Sequence, residues 1–275
     1  MSAGTSSFRV YRPSGALAPY VDFFWSRERY VAPHVTERVL PTATADVIFR
    51  GDGCEMRGGL TGPRSKYIKV STAGPFTAVG VHFTPGGAYP FVGEATKELV
   101  DASAPLTDLW GPAADAVLEQ LARAPGAENR FRVLEQMLLA RLPRAFVPRP
   151  AITRAMHLFE PSGGLMPIVA VAERVGVPRR RFVEEFRSQV GVSPKVFCRL
   201  RRFSAVLHRI ASGADVDWAD VAYAAGYWDQ AHFNHEFREF CGLTPTEYLA
   251  RRVAPTHVAE PGSDSPASAT ARTVR

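Results

Sequence analysis

The chain has 275 residues, 22% of them charged and 46% hydrophobic, with 22 Gly and 22 Pro; this is enough to bury two cores, and it excludes a disordered chain and a disulfide-stapled miniprotein. Three cysteines, Cys54, Cys198 and Cys241, match neither a zinc spacing nor a Cys-x-x-Cys redox pair, so reduced structural thiols are expected. The net charge of +6 admits a polyanionic partner without locating one, and only four of the 33 basic residues are Lys, a bias that suits bidentate contacts to phosphate or guanine as well as it suits GC-rich coding.

The longest uncharged stretch, Val70 to Gly93, holds five Gly, three Pro and His82, which would leave backbone groups unpaired in lipid. The start, Met-Ser-Ala-Gly-Thr-Ser-Ser, lacks a basic segment followed by an apolar run. A cytoplasmic protein without a membrane partner is expected.

From Phe8 to about Gly93 the chain reads as short strands between Gly and Pro turns. Phe23-Phe24-Trp25, Asp46-Val47-Ile48-Phe49 before Gly51-Asp52-Gly53, Tyr67 to Ser71, and the alternating Val79, Val81 and Phe83 carry the pattern. A barrel-like β domain is expected over residues 1–110. The period then becomes helical: Ala116-Val117-Leu118 with Leu121, then Phe131, Leu134, Met137-Leu138 and Leu142. Residues 111–145 should be a helical pair offering a dimerisation surface, followed by an extended connector at Phe146-Val147-Pro148-Arg149-Pro150.

Residues 151–253 should form an all-α domain, giving an α+β chain. Ser193-Pro194 and Thr244-Pro245-x-Glu247 are helix starts, the second with a complete capping box. Residues 254–275, rich in Pro, Ser, Ala and Thr, read as a disordered tail.

The C-terminal domain contains an internal repeat. Val171-Ala172 and Gly176 recur at Val221-Ala222 and Gly226; Phe182, Glu185, Phe186, Arg187, Gly191, Ser193-Pro194 and Phe197 recur at Phe233, Glu236, Phe237, Arg238, Gly242, Thr244-Pro245 and Tyr248. In each unit a small Ala lets two helices cross closely and a Gly supplies the turn between them, as in a helix-turn-helix. The Phe pairs at i, i+4 form the core stripe of the second helix. The opposite face then carries Arg180, Glu184 and Arg187, with Arg181 and Val183 at its margins; in the second unit it carries Ala231, His235 and Arg238, flanked by Gln230, His232 and Asn234. Arginine and short polar side chains on an exposed helix suit phosphates and base edges of double-stranded DNA. The bland alternative is two ordinary helical hairpins with solvated faces.

The stretch Asp220 to Tyr248, with Gly226-Tyr227-Trp228-Asp229, Phe233, Phe237 and Gly242-Leu243-Thr244-Pro245 at its landmarks, resembles the signature end of the AraC/XylS family of bacterial transcription regulators. Val169 to Phe197 resembles that family's first helix-turn-helix, so the likeness spans about residues 151–251. It implies two recognition helices in successive major-groove segments, joined by the helix that starts at Pro194. It further implies an effector-responsive regulator that activates by contacting RNA polymerase or represses by occupancy. The sequence departs from the family pattern at Pro178, where a Ser cap is common, and at Glu184 and His235, where basic residues are common. Phe24-Trp25-Ser26-Arg27, Arg38-Val39-Leu40-Pro41 and Val81-His82-Phe83-Thr84-Pro85-Gly86-Gly87 resemble an uncharacterised sensory-type domain found on some of these regulators.

No catalytic residue, metal site or cofactor is expected. His34 and His82 lack the His-x-His and Glu of a cupin metal site, and His232, His235 and Cys241 are accounted for by a DNA-facing helix. Trp25, Phe49, Phe83, Tyr89, Phe91 and Trp110 are expected as core rather than as a ligand pocket. The rival functions are a metal-dependent cupin-like enzyme with a passenger C-terminal domain, and an interaction scaffold without a DNA site.

Overall fold

The computed structural model describes residues 8–30, 35–51, 55–143, 149–211, 216–254 and 257–259. His34, Cys54 and residues 146–148 of the connector lie outside these. Among the described residues no helix is long and apolar enough to cross a membrane.

The N-terminal part forms strands Phe8–Tyr11 (β1), Val21–Tyr30 (β2), Thr36–Val39 (β3), Asp46–Gly51 (β4), Met56–Thr61 (β5), Ile68–Ser71 (β6) and Phe76–Phe83 (β7). Short helices Tyr89–Val92 (α1) and Ala95–Glu98 (α2), strand Ser103–Pro105 (β8) and helix Leu106–Trp110 (α3) follow. One antiparallel sheet has the order β1-β2-β7-β4-β5-β8. Phe24, Val47, Phe49, Val79, Val81 and Phe83 point to one face and are buried there, as a period of two dictates.

That face is covered by helices Pro112–Arg123 (α4) and Gly126–Arg141 (α5), through Ala114, Val117, Leu121, Phe131, Leu134 and Leu138, in one core with the strands. The helical pair thus uses its apolar stripes on the sheet, leaving Leu139 as its exposed large hydrophobic residue. The barrel is not closed. The outer strands β1 and β8 of the six-stranded sheet do not pair, and β8 is three residues long and ends at Pro105, which has no N–H to donate.

The C-terminal part is helical: Pro150–Phe159 (α6), Ile168–Arg174 (α7), Arg179–Val190 (α8), Pro194–Ala211 (α9), Trp218–Ala224 (α10), Gln230–Cys241 (α11) and Pro245–Arg251 (α12). A second core holds it together. Phe159, Phe186 and Phe197 meet with ring centroids 5.4–6.0 Å apart; Phe237 lies 5.2 Å from Phe203, 5.7 Å from Phe233 and 5.6 Å from Tyr248. Phe186 and Phe197, and Phe233, Phe237 and Tyr248, are the repeat's aromatic positions in the two units, with Phe159 supplied by α6 and Phe203 by the connecting helix α9.

The chain after α12 contributes Arg252–Ala254 (β9) and His257–Ala259 (β10), the second within the stretch 254–275 expected as tail. β10 pairs antiparallel with β3, with His257 opposite Val39 and Ala259 opposite Glu37, in a second sheet of order β6-β3-β10-β9. This short strand orders because it adds to the edge of β3, so it needs little apolar surface of its own. Residues 260–275 lie outside the described structure.

Candidate nucleic-acid interface

Each helical unit turns at a glycine, Gly176 and Gly226, with φ of 72° and 73°, a left-handed conformation that side-chain-bearing residues resist. The second helices, α8 and α11, then start from different caps. Asp229 accepts a hydrogen bond from the His232 amide at 2.7 Å, whereas Pro178 makes no side-chain cap bond. The helices after them begin as their sequence predicts: Ser193 accepts from the Val196 amide at 3.3 Å, and Thr244 and Glu247 complete a capping box.

The faces of α8 and α11 opposite their Phe stripes are open. Arg180, Arg181, Glu184 and Arg187 are exposed and Val183 is half-buried; Gln230, Ala231, His232, Asn234, His235 and Arg238 are all exposed. On α8 the carboxylates are paired: Arg180 Nε lies 3.2 Å from Glu184 and Arg181 Nε lies 2.7 Å from Glu185. Glu184 is therefore part of a neutralised pair rather than a bare charge facing a phosphate.

The inner side of α11 carries a group that sequence reasoning registered only as a repeated position. Glu236 is 3% exposed. Arg199 Nε on α9 donates to it at 2.8 Å, Arg202 Nη2 lies 3.6 Å away, and the Tyr227 hydroxyl donates at 2.8 Å. Burial, with Glu236 alongside, pushes the Tyr227 hydroxyl well up, so it stays a donor. This buried network ties α11 to the connecting helix α9. The matching Glu185 pairs only within its own helix.

The far ends of α8 and α11 dock on the N-terminal domain. At α8, Ser188 Oγ donates to Glu94 at 2.7 Å, and Lys97 and Ser188 together hold the Glu94 carboxyl down to about 2. At α11, the buried Arg38 donates from Nη1 to the Cys241 carbonyl at 3.1 Å, with its guanidinium 4.7 Å above the Tyr67 ring. Leu40 and Ala43, from the loop after β3, enter the C-terminal core itself. Arg252 Nη1 donates to the Ile210 carbonyl at 2.9 Å, fixing β9 to the end of α9. The docking thus leaves the polar outer faces of both helices uncovered.

Other residues singled out from sequence fall elsewhere. Cys241 is buried, and burial pushes its thiol up to about 12; it does not join the exposed His232 and His235. Among the described residues there is no cluster of three His, Cys, Asp or Glu that could hold a metal. His82 instead bonds Asp46 at 2.7 Å, lies 3.4 Å from Thr44 Oγ1 and stacks on Phe23. Phe49, Phe83 and Phe91 are core, Trp25 lies against Gly80, and Trp110 donates to the Phe91 carbonyl.

Two helix-turn-helix units with open second helices define a DNA-binding class of protein. Residues 171–251 match the family model described as a helix-turn-helix domain, and residues 9–105 match a domain of unknown function, DUF6597. The C-terminal domain is thus an AraC-type helix-turn-helix domain, and the chain that carries it is a DNA-binding transcription regulator. No curated protein sequence matches it. Among solved structures it is similar to the C-terminal domain of AraT, a response regulator from Geobacillus stearothermophilus, at 20% identity over 38% of this chain and 88% of that one, with a TM-score of 0.35. An AraC-type regulator from Chromobacterium violaceum gives 24% identity over 39% and 96%, TM-score 0.35. ToxT from Vibrio cholerae gives 12% identity over 90% and 98%, TM-score 0.44.

Proposed function

We propose that the protein is a sequence-specific, effector-responsive regulator that places α8 and α11 in successive major-groove segments on one side of the DNA. The observation that carries this is the paired one: two repeated helices expose arginine and short polar side chains outward while their opposite ends are held by the same N-terminal domain. Arg187 and Arg238 stand at matching places and serve as the main phosphate or guanine contacts; Gln230, His232, Asn234 and His235 supply the shorter-range readers of the second unit. An effector or partner that alters the N-terminal domain's grip shifts the population in which both helices fit the groove together. Occupancy alone suffices for repression; activation adds a contact with RNA polymerase. A homodimer across the outer faces of α4 and α5 would bring two such readers to one site. The function is one of binding rather than catalysis, exercised in the cytoplasm beside the DNA.

The test is selection of genomic fragments by the purified full-length protein at near-physiological salt, with and without fractionated cell metabolites. A single enriched motif whose recovery changes with one fraction is the expected result. Binding without sequence preference, in both conditions, would contradict it.

A further inference from the structure

Trp228 sits where the fold has no use for it. It directly precedes the cap Asp229, a position from which an apolar side chain ordinarily folds back onto the fourth residue of the helix. That residue is Phe233, which is fully buried, but the rings against it are Tyr227 at 5.3 Å, Phe237 at 5.7 Å and Trp218 at 6.2 Å. Trp228 itself is 93% exposed. In the first unit the residue before the cap is Val177, which packs against the core. Tyr227 is the counterpart of Val177, both following the turn glycine and donating their amides to the Ala222 and Ala172 carbonyls, so the second unit has one residue more before its cap; it is this extra indole that is turned outward, leaving in water one of the largest apolar surfaces a side chain offers.

The place where it is turned out is the N-terminal end of α11, beside the exposed Gln230 and Ala231. In a helix-turn-helix this is the end that reaches base edges. Asp229, the carboxylate next to Trp228 in the chain, is engaged with the His232 amide. The apolar feature of the major groove is the 5-methyl group of thymine.

We propose that Trp228 is a specificity residue of the second unit, its indole lying against a thymine methyl group next to the start of α11. This gives the second unit a thymine preference that the first, with Val177 and Pro178 at the matching place, lacks. The assignment rests on α11 being a recognition helix.

The experiment uses the full-length chain and the genomic fragment it enriches most. Thymines in that fragment are replaced one at a time by deoxyuridine, which lacks the methyl group, and binding is measured for wild type, W228A and W228F. One position in the half-element read by α11 should cost wild type about fourfold, the effect of burying one methyl group. W228A should bind the intact fragment about tenfold more weakly and be indifferent to deoxyuridine at that position, and W228F should retain part of the thymine preference. An unchanged melting temperature in W228A shows that the fold is intact. Equal affinity of W228A and wild type overturns the assignment, as does a loss in W228A that leaves every deoxyuridine effect in place. Unchanged DNA binding with lost transcriptional activation assigns the indole to a protein partner and overturns it too. Failure of wild type to enrich any fragment defeats the underlying DNA reading, a separate result.

Discussion

Gly191 and Gly242 occupy the same place in the two helical units, just past the ends of α8 and α11, and both are pressed against the N-terminal domain. A Cβ on Gly191 would fall 2.8 Å from Pro63 Cγ and from the Thr96 carbonyl oxygen; one on Gly242 would fall 2.5 Å from Arg38 Nη1 and from the Tyr67 ring. The repeat therefore does two jobs. Its core positions build two similar helical units, and its closing glycines let the N-terminal domain grip both at the C-terminal ends of α8 and α11.

Substituting these glycines should loosen that grip. Gly176, at φ 72° with nothing near its missing Cβ, supplies the reference: G176A should cost about 1–2 kcal/mol from the left-handed backbone alone. G191A and G242A, at φ 93° and 70°, should cost more, because Thr96 and Arg38 must also move. Denaturant unfolding of the three variants checks this, and equal losses would show that the contacts carry no weight.

Removing the buried carboxylate of α11 should be far more damaging than removing an exposed one. E236A leaves Arg202 and the Tyr227 hydroxyl facing a cavity, while Arg199 keeps Glu239, and is expected to cost about 3 kcal/mol, with DNA binding falling as the tie between α11 and α9 weakens. E184A, which breaks an exposed pair within α8, should stay within about 0.5 kcal/mol in stability. Similar losses in both would mean that Glu236 is not the strut described.

His82 gives the N-terminal domain a pH signature. Burial opposes its charging, but Asp46 at 2.7 Å outweighs burial and the net pKa is raised above 6.5. The stability it contributes is fully present below about 6.5, the unfolded value, and is lost as pH rises through the higher folded value. The stability difference between wild type and H82Q should therefore shrink as pH is raised from about 5.5 to 9, as read by urea midpoints. A difference that stays flat or grows would contradict the pairing.

The reader domain was legible in the sequence because its information is local. Phe at i, i+4, Gly at the turn and a hydroxyl-Pro helix start each act within a few residues, and all recur in the second unit. Exposure of the outer face follows from the same periodicity. What escaped was non-local. Pairing of β10 with β3 joins segments at opposite ends of the chain, and nothing in the composition around His257 distinguishes a strand from tail. The open barrel depends on which edges meet, which alternation alone does not specify. Glu236 was visible as a repeat of Glu185, yet its burial depends on Arg199 and Arg202 arriving from α9. Trp228 and Tyr227 are adjacent, and only the packed structure reveals which of them faces inward.

If α8 and α11 read two separate DNA elements through the matching Arg187 and Arg238, fragment selection with wild type, R187A and R238A will show it. Wild type should yield two half-elements about one helical turn, or 10 base pairs, apart. R187A should lose information at one half-element and R238A at the other, each weakening binding by about 1–3 kcal/mol if the contact is to a base, or flattening the salt dependence if it is to phosphate. Both variants recovering the wild-type motif with undiminished affinity and salt dependence would contradict it.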